Sequence, residues 1–207
     1  MMIQIYGSPR SSAGRCFVML EECGLSYEVM PLDMMAKREH KLEPFLKLNP
    51  NGKVPCMVDN GFALWESAAI VQYLAEKHKP ELLGTNATEK ALVQQWAFWT
   101  MTEAQPPMVD ILVQKLFVPE GKKDLALIER REKQMPGILE VLEKSLTNKK
   151  FLVGDKYSVA DLMAASAVNI ATGLKLDMSM FPNIKAWFAE VKSRPAWVKV
   201  SQLRGEL

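Results

Sequence analysis

The sequence predicts an α/β plus all-α protein, in which a unit with the element order βαβαββα precedes an all-helical unit. Short apolar runs bounded by Gly, Pro and Asn recur through the first part of the chain, whereas helical periodicity dominates from Thr88 onward. Strands mixed with helices, and then helices alone, indicate two structural units rather than one alternating sheet. We therefore expect domains at residues 1–78 and 88–207, joined by a linker at residues 79–87.

The first strand and the first helix are predicted from where the apolar residues start and stop. Residues 3–6 form a short apolar run, which ends at the turn former Gly7. Ser11 and Ser12 open a run that is apolar at helical intervals until Gly24 stops it. This stretch indicates a strand, a loop and a helix.

The second strand and the second helix follow directly. Residues 27–30 alternate as a strand does. Residues 37–48 return to helical composition, and we expect Pro44 in or near the start of that helix, because its ring disrupts a helix interior. The element order so far is βαβα.

A β-hairpin and a third helix complete the first unit. Residues 54–58 and 62–64 are apolar runs separated by turn formers at residues 59–61, and this pattern predicts a hairpin. Ser67 is expected to cap a helix that runs to His78.

The second half is predicted to be helical throughout. Pro106 and Pro107 lie inside the first helical pattern and are expected to break or kink it. Ser158 and Asp161 fit a capping box, with Tyr157 packing onto the turn that follows. The helical patterns cover residues 88–117, 124–146, 158–172 and 182–191.

The composition argues against several classes of function. The chain has 207 residues, of which 48% are apolar and 24% charged, and 26 basic residues nearly balance 24 acidic ones. We therefore expect no nucleic-acid partner. No stretch approaches the ~18 uninterrupted apolar residues of a membrane span, and the start of the sequence does not resemble a secretion signal. A cytoplasmic protein without a membrane partner is expected.

The cysteines and histidines do not form a metal-binding pattern. Cys16, Cys23 and Cys56 lack CxxC spacing, which argues against a zinc site or a disulfide framework. His40 and His78 cannot be combined into a ligand pair such as HExxH. We expect reduced thiols and no metal cofactor.

Three short motifs carry a resemblance to a known family. They are His40-Lys41, the run NPNGKVP at residues 49–55, and the run WESAAI at residues 65–70. Together they resemble the glutathione-binding half of the cytosolic glutathione transferase superfamily, nearest to its serine-type classes phi, theta and delta. The resemblance implies a thioredoxin-like amino-terminal domain followed by an all-helical domain, with a cis peptide bond before Pro55.

The resemblance also implies how the γ-glutamyl and cysteinyl parts of glutathione are bound. Ser67 lies at a predicted helix start, where free backbone N–H groups favour a carboxylate, and Glu66 can pair with the adjacent amine. Val54, ahead of Pro55, would present its backbone to the cysteinyl part in the manner of an added strand. The alternative for Ser67 is an ordinary helix cap.

The glycine carboxylate of glutathione requires cationic or hydrogen-bonding groups. The resemblance assigns this role to His40, Lys41 and Lys53. For Lys41 the alternative is a solvated surface lysine, because Lys37 and other basic residues lie in the same segment.

The thiol of glutathione must be ionised to react. A free thiol has a pKa of about 8.5, so only a few per cent is thiolate at neutral pH. A hydroxyl group that donates to the sulfur at the start of the first helix would favour the anion. The hydrogen bond contributes ~1.5–3 kcal/mol and the helix dipole ~0.3–1 kcal/mol.

Two adjacent serines compete for this role. Counting back from Arg15, as in the delta-like pattern, selects Ser11, and other class patterns leave Ser12 possible. Ser12 would otherwise cap the helix that is predicted to start at Ala13. Arg10 is a hypothetical support, whose guanidinium would add positive potential beside the thiolate or would point to solvent.

Two other residues are expected to be structural. Tyr6 lies in the first strand, where tyrosine-type transferases carry their hydroxyl, but a tyrosine there more often packs into the core. Cys16 follows Arg15 inside the predicted helix, where a small buried residue is common, so thiol exchange by a protein cysteine is not expected.

The resemblance implies that the second substrate is an apolar electrophile. We expect it between Pro9-Arg10 and the long helix that carries Met101, Gln105 and Met108. The predicted activity is conjugation of glutathione to such electrophiles, with hydroperoxide reduction as a further reaction of the same thiolate. The alternatives are a non-catalytic glutathione-binding module and a glutathione-dependent isomerase. A homodimer is expected from the family.

Overall fold

The computed structural model describes residues 2–205, and these residues form two compact units. The amino-terminal unit contains the chain up to Leu83 together with the chain from Ser193 onward. The helical unit is Gly84–Lys192. Met1, Glu206 and Leu207, which the predicted domains include, lie outside the described residues. Residues 193–205, which the predicted helical domain includes, belong to the amino-terminal unit. The predicted domain ranges stay a prediction.

Four short strands form one mixed sheet in the spatial order β2-β1-β3-β4. Strand β1 pairs parallel with β2 and antiparallel with β3, and β3 pairs antiparallel with β4. The central strand places Ile3 and Ile5 in the core. The strands are β1 (Ile3–Tyr6), β2 (Tyr27–Met30), β3 (Cys56–Asp59) and β4 (Phe62–Trp65).

Nine α-helices are assigned between residues 2 and 205. In chain order they are α1 (Gly14–Glu22), α2 (Glu43–Leu46), α3 (Ser67–His78), α4 (Ala87–Trp99), α5 (Gln105–Leu116), α6 (Leu125–Ser145), α7 (Val159–Gly173), α8 (Pro182–Lys192) and α9 (Pro195–Arg204). Up to Leu83 the chain therefore follows the predicted order βαβαββα, and Gly84–Lys192 contains helices without strands. The predicted fold class is confirmed.

The core of the amino-terminal unit forms where two helices meet the sheet. Helix α1 packs against α3, and the side chains of Phe17 and Leu20 on α1 are fully buried, as are Ile70 and Leu74 on α3. Apolar burial of this kind stabilises the fold by roughly 25 cal/mol per Å² removed from water. The core therefore fixes the start of both helices, where the predicted site lies.

The prediction of one helix over residues 37–48 is wrong in its extent. The structure has a single 3₁₀ turn at Glu39–Lys41 and only four helical residues in α2. Arg38 has a left-handed conformation with φ 52°, and Leu42 is extended, so the backbone cannot continue a regular helix through either.

Two further corrections concern helix starts and a missed helix. Helix α1 begins at Gly14, and Ser12 does not cap it. Ser67 is the first residue of α3, so the cap position belongs to Glu66. Helix α9 was not predicted from the sequence.

The helical unit agrees with the sequence in two details. The long α-helical pattern is interrupted next to the two prolines, because a π-helical segment at Thr100–Ala104 separates α4 from α5, which carries both prolines in its first turn. The capping box at the start of α7 is present, with Ser158 and Asp161 bonded to each other's backbone N–H. Between residues 2 and 205, no helix is both long and apolar enough to cross a membrane.

Candidate active site

The loop between β1 and α1 turns tightly, which brings it close to the start of the hairpin. Gly7 has φ 133°, a conformation that favours glycine. A Cβ atom at Gly7 would lie 2.8 Å from the Cβ of Ala13 and 3.4 Å from the Cβ of Val54. Glycine therefore allows the serine-bearing loop to approach Val54.

The two serines of this loop make different hydrogen bonds. The Ser11 hydroxyl donates to the carbonyl of Ser8 over 2.7 Å and accepts from the backbone N–H of Ala13 over 3.2 Å. The Ser12 hydroxyl is exposed and donates to the carbonyl oxygen of Val54 over 3.1 Å. Ser11 thus stabilises its own turn, whereas Ser12 reaches the segment before Pro55.

The segment before the hairpin is held by a side chain that the sequence did not single out. The peptide bond between Val54 and Pro55 is cis, as the resemblance implies. Asn49 is 2% exposed, donates through Nδ2 to the carbonyl of Lys53 over 2.6 Å, and accepts through Oδ1 from the N–H of Asn51 over 3.0 Å. Its place in the NPNGKVP motif was the available signal.

Lys41 and His40 lie against the same segment. The Lys41 Nζ donates to the carbonyl of Asn51 over 3.1 Å. Gly52 has φ 56°, and a Cβ there would lie 2.7 Å from the carbonyl oxygen of His40. The Nδ1 of His40 is buried and has no hydrogen-bond partner among residues 2–205. Lys53 is exposed beside them, so one edge of the segment carries several donors.

Glu66 and Ser67 form the junction between β4 and α3. Glu66 has φ 73° and ψ 114°, a strained backbone conformation for a residue with a side chain. Ser67 is 3% exposed and opens the helix, where the first backbone N–H groups have no intrahelical acceptor. The Cys16 thiol on α1 lies 3.7 Å from the carbonyl oxygen of Ser67. The junction offers anion donors beside an exposed carboxylate.

The cysteine thiols are poor candidates for the reacting group. Burial raises the pKa of Cys16 to about 12, against the smaller opposing effect of Arg15. Burial also raises the pKa of Cys56 to about 11, and that of Cys23 to about 11. All three are reduced, and their neutral form is favoured.

Tyr6 packs rather than presenting an activated hydroxyl. Its ring meets that of Phe45 edge-on at 5.5 Å between centroids. Burial raises the pKa of the Tyr6 hydroxyl, and the nearby Cys56 and Glu28 raise it further.

The remaining predicted residues are distributed over both units. Arg10 is exposed and donates through Nε to the carbonyl of Arg204 over 2.8 Å. In the helical unit, Met101 and Gln105 are half-buried and Met108 is 1% exposed. Arg204, which the sequence did not indicate, also donates to the carbonyl of Pro9 over 2.7 Å.

The geometry provides three chemical features within the amino-terminal unit. They are a hydroxyl near the start of a helix, a backbone segment held ahead of a cis-proline, and a helix start next to a carboxylate. Among residues 2–205, no cluster of three or more His, Cys, Asp or Glu residues could hold a metal ion.

The sequence of the chain matches two families of domains. Residues 1–76 match the family described as "Glutathione S-transferase, N-terminal domain", and residues 95–195 match "Glutathione S-transferase, C-terminal domain". A rice protein named probable glutathione S-transferase GSTF2 is 38% identical over 97% of this chain and 96% of its own length.

Two further comparisons extend this result. An Escherichia coli protein named disulfide-bond oxidoreductase YfcG is 32% identical over 94% of this chain and 92% of its own length. The solved structure of a glutathione S-transferase I with lactoylglutathione matches with a TM-score of 0.89 at 34% identity, covering 98% of this chain and all of that one. The chain therefore belongs to the glutathione S-transferase family in both of its domains and is a glutathione transferase.

Proposed function

We propose that this chain is a serine-type, phi-like transferase, in which the Ser12 hydroxyl stabilises the thiolate of bound glutathione. The single observation that supports this assignment most is the 3.1 Å hydrogen bond from Ser12 to the carbonyl of Val54. Val54 precedes the cis-proline, where the cysteinyl part of glutathione would pair with the backbone. The Ser12 hydroxyl therefore lies beside the position proposed for the sulfur.

The hydrogen bonds of Ser11 make it the weaker candidate. Its hydroxyl already donates to Ser8 and accepts from Ala13, so a bond to sulfur would cost the turn one of its own bonds. Ser12 has only to turn its donor from Val54 to the sulfur. We therefore prefer Ser12 and retain Ser11, which the sequence favoured, as the alternative.

Glutathione would be held along the edge of the amino-terminal unit. Its γ-glutamyl carboxylate would accept from the first N–H groups of α3 at Ser67, and its amine would pair with Glu66. The strained backbone of Glu66 supports this role, because such conformations concentrate at functional positions.

The glycine carboxylate would meet the donors near Gly52. His40, Lys41 and Lys53 lie there, and the two lysine ammonium groups would supply the positive charge. The Lys41 ammonium donates to the carbonyl of Asn51 and would also donate to the glycine carboxylate, so it would bridge the loop and the ligand.

We propose an apolar electrophile as the second substrate, with hydroperoxide reduction by the same thiolate. The half-buried Met101 and Gln105 are proposed to contact that substrate, since methionine adapts to varied shapes, whereas Met108 is buried in the core of the helical unit. A homodimer in the cytoplasm is proposed from the family. Light scattering on the purified protein would test the dimer.

A second candidate activity is exchange between glutathione and disulfides. The similarity to the Escherichia coli disulfide-bond oxidoreductase favours it. Because burial favours the neutral form of Cys16, Cys56 and the half-buried Cys23, the attacking thiolate would be that of glutathione itself. Turnover of a small disulfide and of a chlorinated nitroaromatic by the same preparation would rank the two activities.

The experiment that tests the proposal is a paired comparison of Ser12→Ala with Ser11→Ala. We expect Ser12→Ala to lower kcat/KM for the chlorinated nitroaromatic by about tenfold to a hundredfold, because a hydrogen bond to a charged group contributes ~1.5–3 kcal/mol. Ser11→Ala should have the smaller effect on kcat/KM. The reverse order would assign the role to Ser11, and no loss in either variant would refute the serine mechanism. Glutathione binding without turnover in the wild type would instead indicate a non-catalytic module.

A further inference from the structure

The end of helix α9 is bonded to the loop that carries both serines. The Arg204 Nε donates to the carbonyl of Pro9 over 2.7 Å, and the Arg10 Nε donates back to the carbonyl of Arg204 over 2.8 Å. The first bond spans 195 positions of the sequence, and the second spans 194. The serine loop is thus attached to the carboxy-terminal helix of the same unit.

Arg204 is itself held in place by burial. Arg204 is 7% exposed, and its guanidinium lies 6.0 Å from the ring centroid of Trp197, which is fully buried. A cation over an aromatic face gains further stabilisation when it is removed from water. The donor to Pro9 is therefore fixed in its orientation.

Helix α9 is fixed in turn on helix α1. Arg194, the residue directly before α9, forms a two-pronged pair with Glu22, with distances of 2.6 Å and 2.8 Å. Lys199 pairs with Glu21 at 2.8 Å. Such forked arginine–carboxylate pairs add geometric specificity to the contact. Any displacement of Arg204 relative to α1 is thus opposed by contacts further along the same helix.

Gly14 leaves the space that the guanidinium occupies. A Cβ atom there would clash with the guanidinium of Arg204 and would lie 2.6 Å from the carbonyl oxygen of Pro9. Gly14 is also the first residue of α1. The bond from Arg204 to Pro9 therefore lies directly beside the helix start that follows the serines.

We propose that Arg204 is a positioning residue that holds the Pro9 carbonyl and thereby sets the place of the serine hydroxyl at the glutathione sulfur. This inference rests on the proposed thiolate function. Arg204 acts through the loop, and its effect is to keep the hydroxyl donor within bonding distance. Misplacement of reacting groups by about 1 Å can reduce rates about a hundredfold.

The test uses the full chain with Arg204→Gln, Arg204→Lys and the control Lys199→Met. Lys199 lies on the same helix and loses only its pair with Glu21, so its variant reports on helix docking without the bond to Pro9. The measurements are the pKa of the glutathione thiol on each protein, from thiolate absorbance, and the pH profile of kcat/KM. Each variant is also checked by thermal unfolding.

We expect Arg204→Gln to raise the thiol pKa and to lower kcat/KM at neutral pH by about tenfold or more. The loss should shrink at alkaline pH, where the thiol ionises without help. Arg204→Lys, which can still donate to Pro9, should be intermediate, and Lys199→Met should match the wild type in thiol pKa. A merely structural effect would lower activity equally at every pH.

A folded Arg204→Gln with the wild-type thiol pKa and pH profile would overturn the inference, as would an equal shift in Lys199→Met. Should neither Arg204 variant fold, Arg10→Ala removes the returning bond and is expected to raise the thiol pKa by an amount that persists at about 1 M salt, where a direct charge effect of the exposed Arg10 would be screened. An unshifted Arg10→Ala would then count against the inference. If the wild type itself does not lower the thiol pKa, the proposed function fails instead.

Discussion

The Ser12 hydroxyl oxygen lies 3.1 Å from the carbonyl oxygen of Val54, although the two residues are 42 positions apart. The contact exists because Gly7 allows the serine loop to approach the segment before Pro55. It places the exposed hydroxyl at the backbone that would bind the cysteinyl part of glutathione. The choice between two neighbouring serines therefore depends on a tertiary contact.

Asn49→Ala is expected to weaken both stability and glutathione binding. The variant leaves the carbonyl of Lys53 and the N–H of Asn51 without their present partner, and Asn49 itself is buried. We expect a loss of about 1–3 kcal/mol in the free energy of unfolding, from urea titration, and a higher KM for glutathione. Asn49→Asp keeps the acceptor for Asn51 but sets a buried carboxylate oxygen against the carbonyl of Lys53, so it should lose at least as much stability. A wild-type KM in Asn49→Ala would contradict the role of this side chain.

Gly52→Ala is expected to cost more stability than Gly61→Ala. Both glycines have positive φ, at 56° and 84°, but a Cβ at Gly52 would lie 2.7 Å from the carbonyl of His40, whereas nothing lies within 4 Å at Gly61. Gly61→Ala should lose about 1–2 kcal/mol from backbone strain alone. Gly52→Ala should lose more, and its KM for glutathione should rise. Equal costs in urea titration would mean that the contact with His40 does not constrain the loop.

Asp59 is expected to make the stability of the protein sensitive to acid. Burial alone would raise the pKa of Asp59, but hydrogen bonds from Lys77 and Tyr73 outweigh it, and the pKa lies below its ordinary value. Stability from this carboxylate is therefore present above the unfolded pKa of about 3.9 and is lost as the pH falls through the lower folded pKa. The free energy of unfolding should fall more steeply below about pH 4 in the wild type than in Asp59→Asn. Parallel curves would contradict the assignment.

Asp161→Ala is expected to destabilise the helical unit strongly. The buried carboxylate accepts from the N–H of Leu152, the N–H of Ser158 and the indole N–H of Trp187, at 2.9 to 3.0 Å. Leaving several buried donors unpaired should cost more than about 3 kcal/mol in urea titration, at about 1–3 kcal/mol for each. Ser158→Ala removes one hydroxyl, which donates to the Asp161 carboxylate and accepts from the Asp161 N–H, and it should cost about 0.5–2 kcal/mol. A similar cost for both variants would show that the cap, rather than the network, stabilises this region.

Elements that depend on nearby residues were predictable from the sequence. The hairpin follows from two apolar runs around a turn, and the capping box at Ser158 and Asp161 from a three-residue spacing. Helix α9 was missed because it is stabilised by contact with α1, which lies far away in sequence. Pro195 at its start and Gly205 after its end were the signals that could have predicted it.

In the candidate site, too, features set by neighbouring residues were predictable and features set by distant contacts were not. Glu66, Ser67 and the segment before Pro55 were indicated by motifs whose residues are adjacent in the chain. The bonds of Ser12 to Val54 and of Arg204 to Pro9 join distant segments, and no local pattern encodes them. The residues that carry the binding groups were thus predictable, whereas the contacts that orient them required the fold.

The most direct measurement is the pKa of the glutathione thiol on the wild type and on Ser12→Ala, followed by thiolate absorbance as the pH is raised. We predict a pKa clearly below the solution value of about 8.5 on the wild type, and a rise of about one to two pH units in Ser12→Ala. A thiol that titrates on the wild type as it does in buffer, or equally on both proteins, would contradict the proposed mechanism.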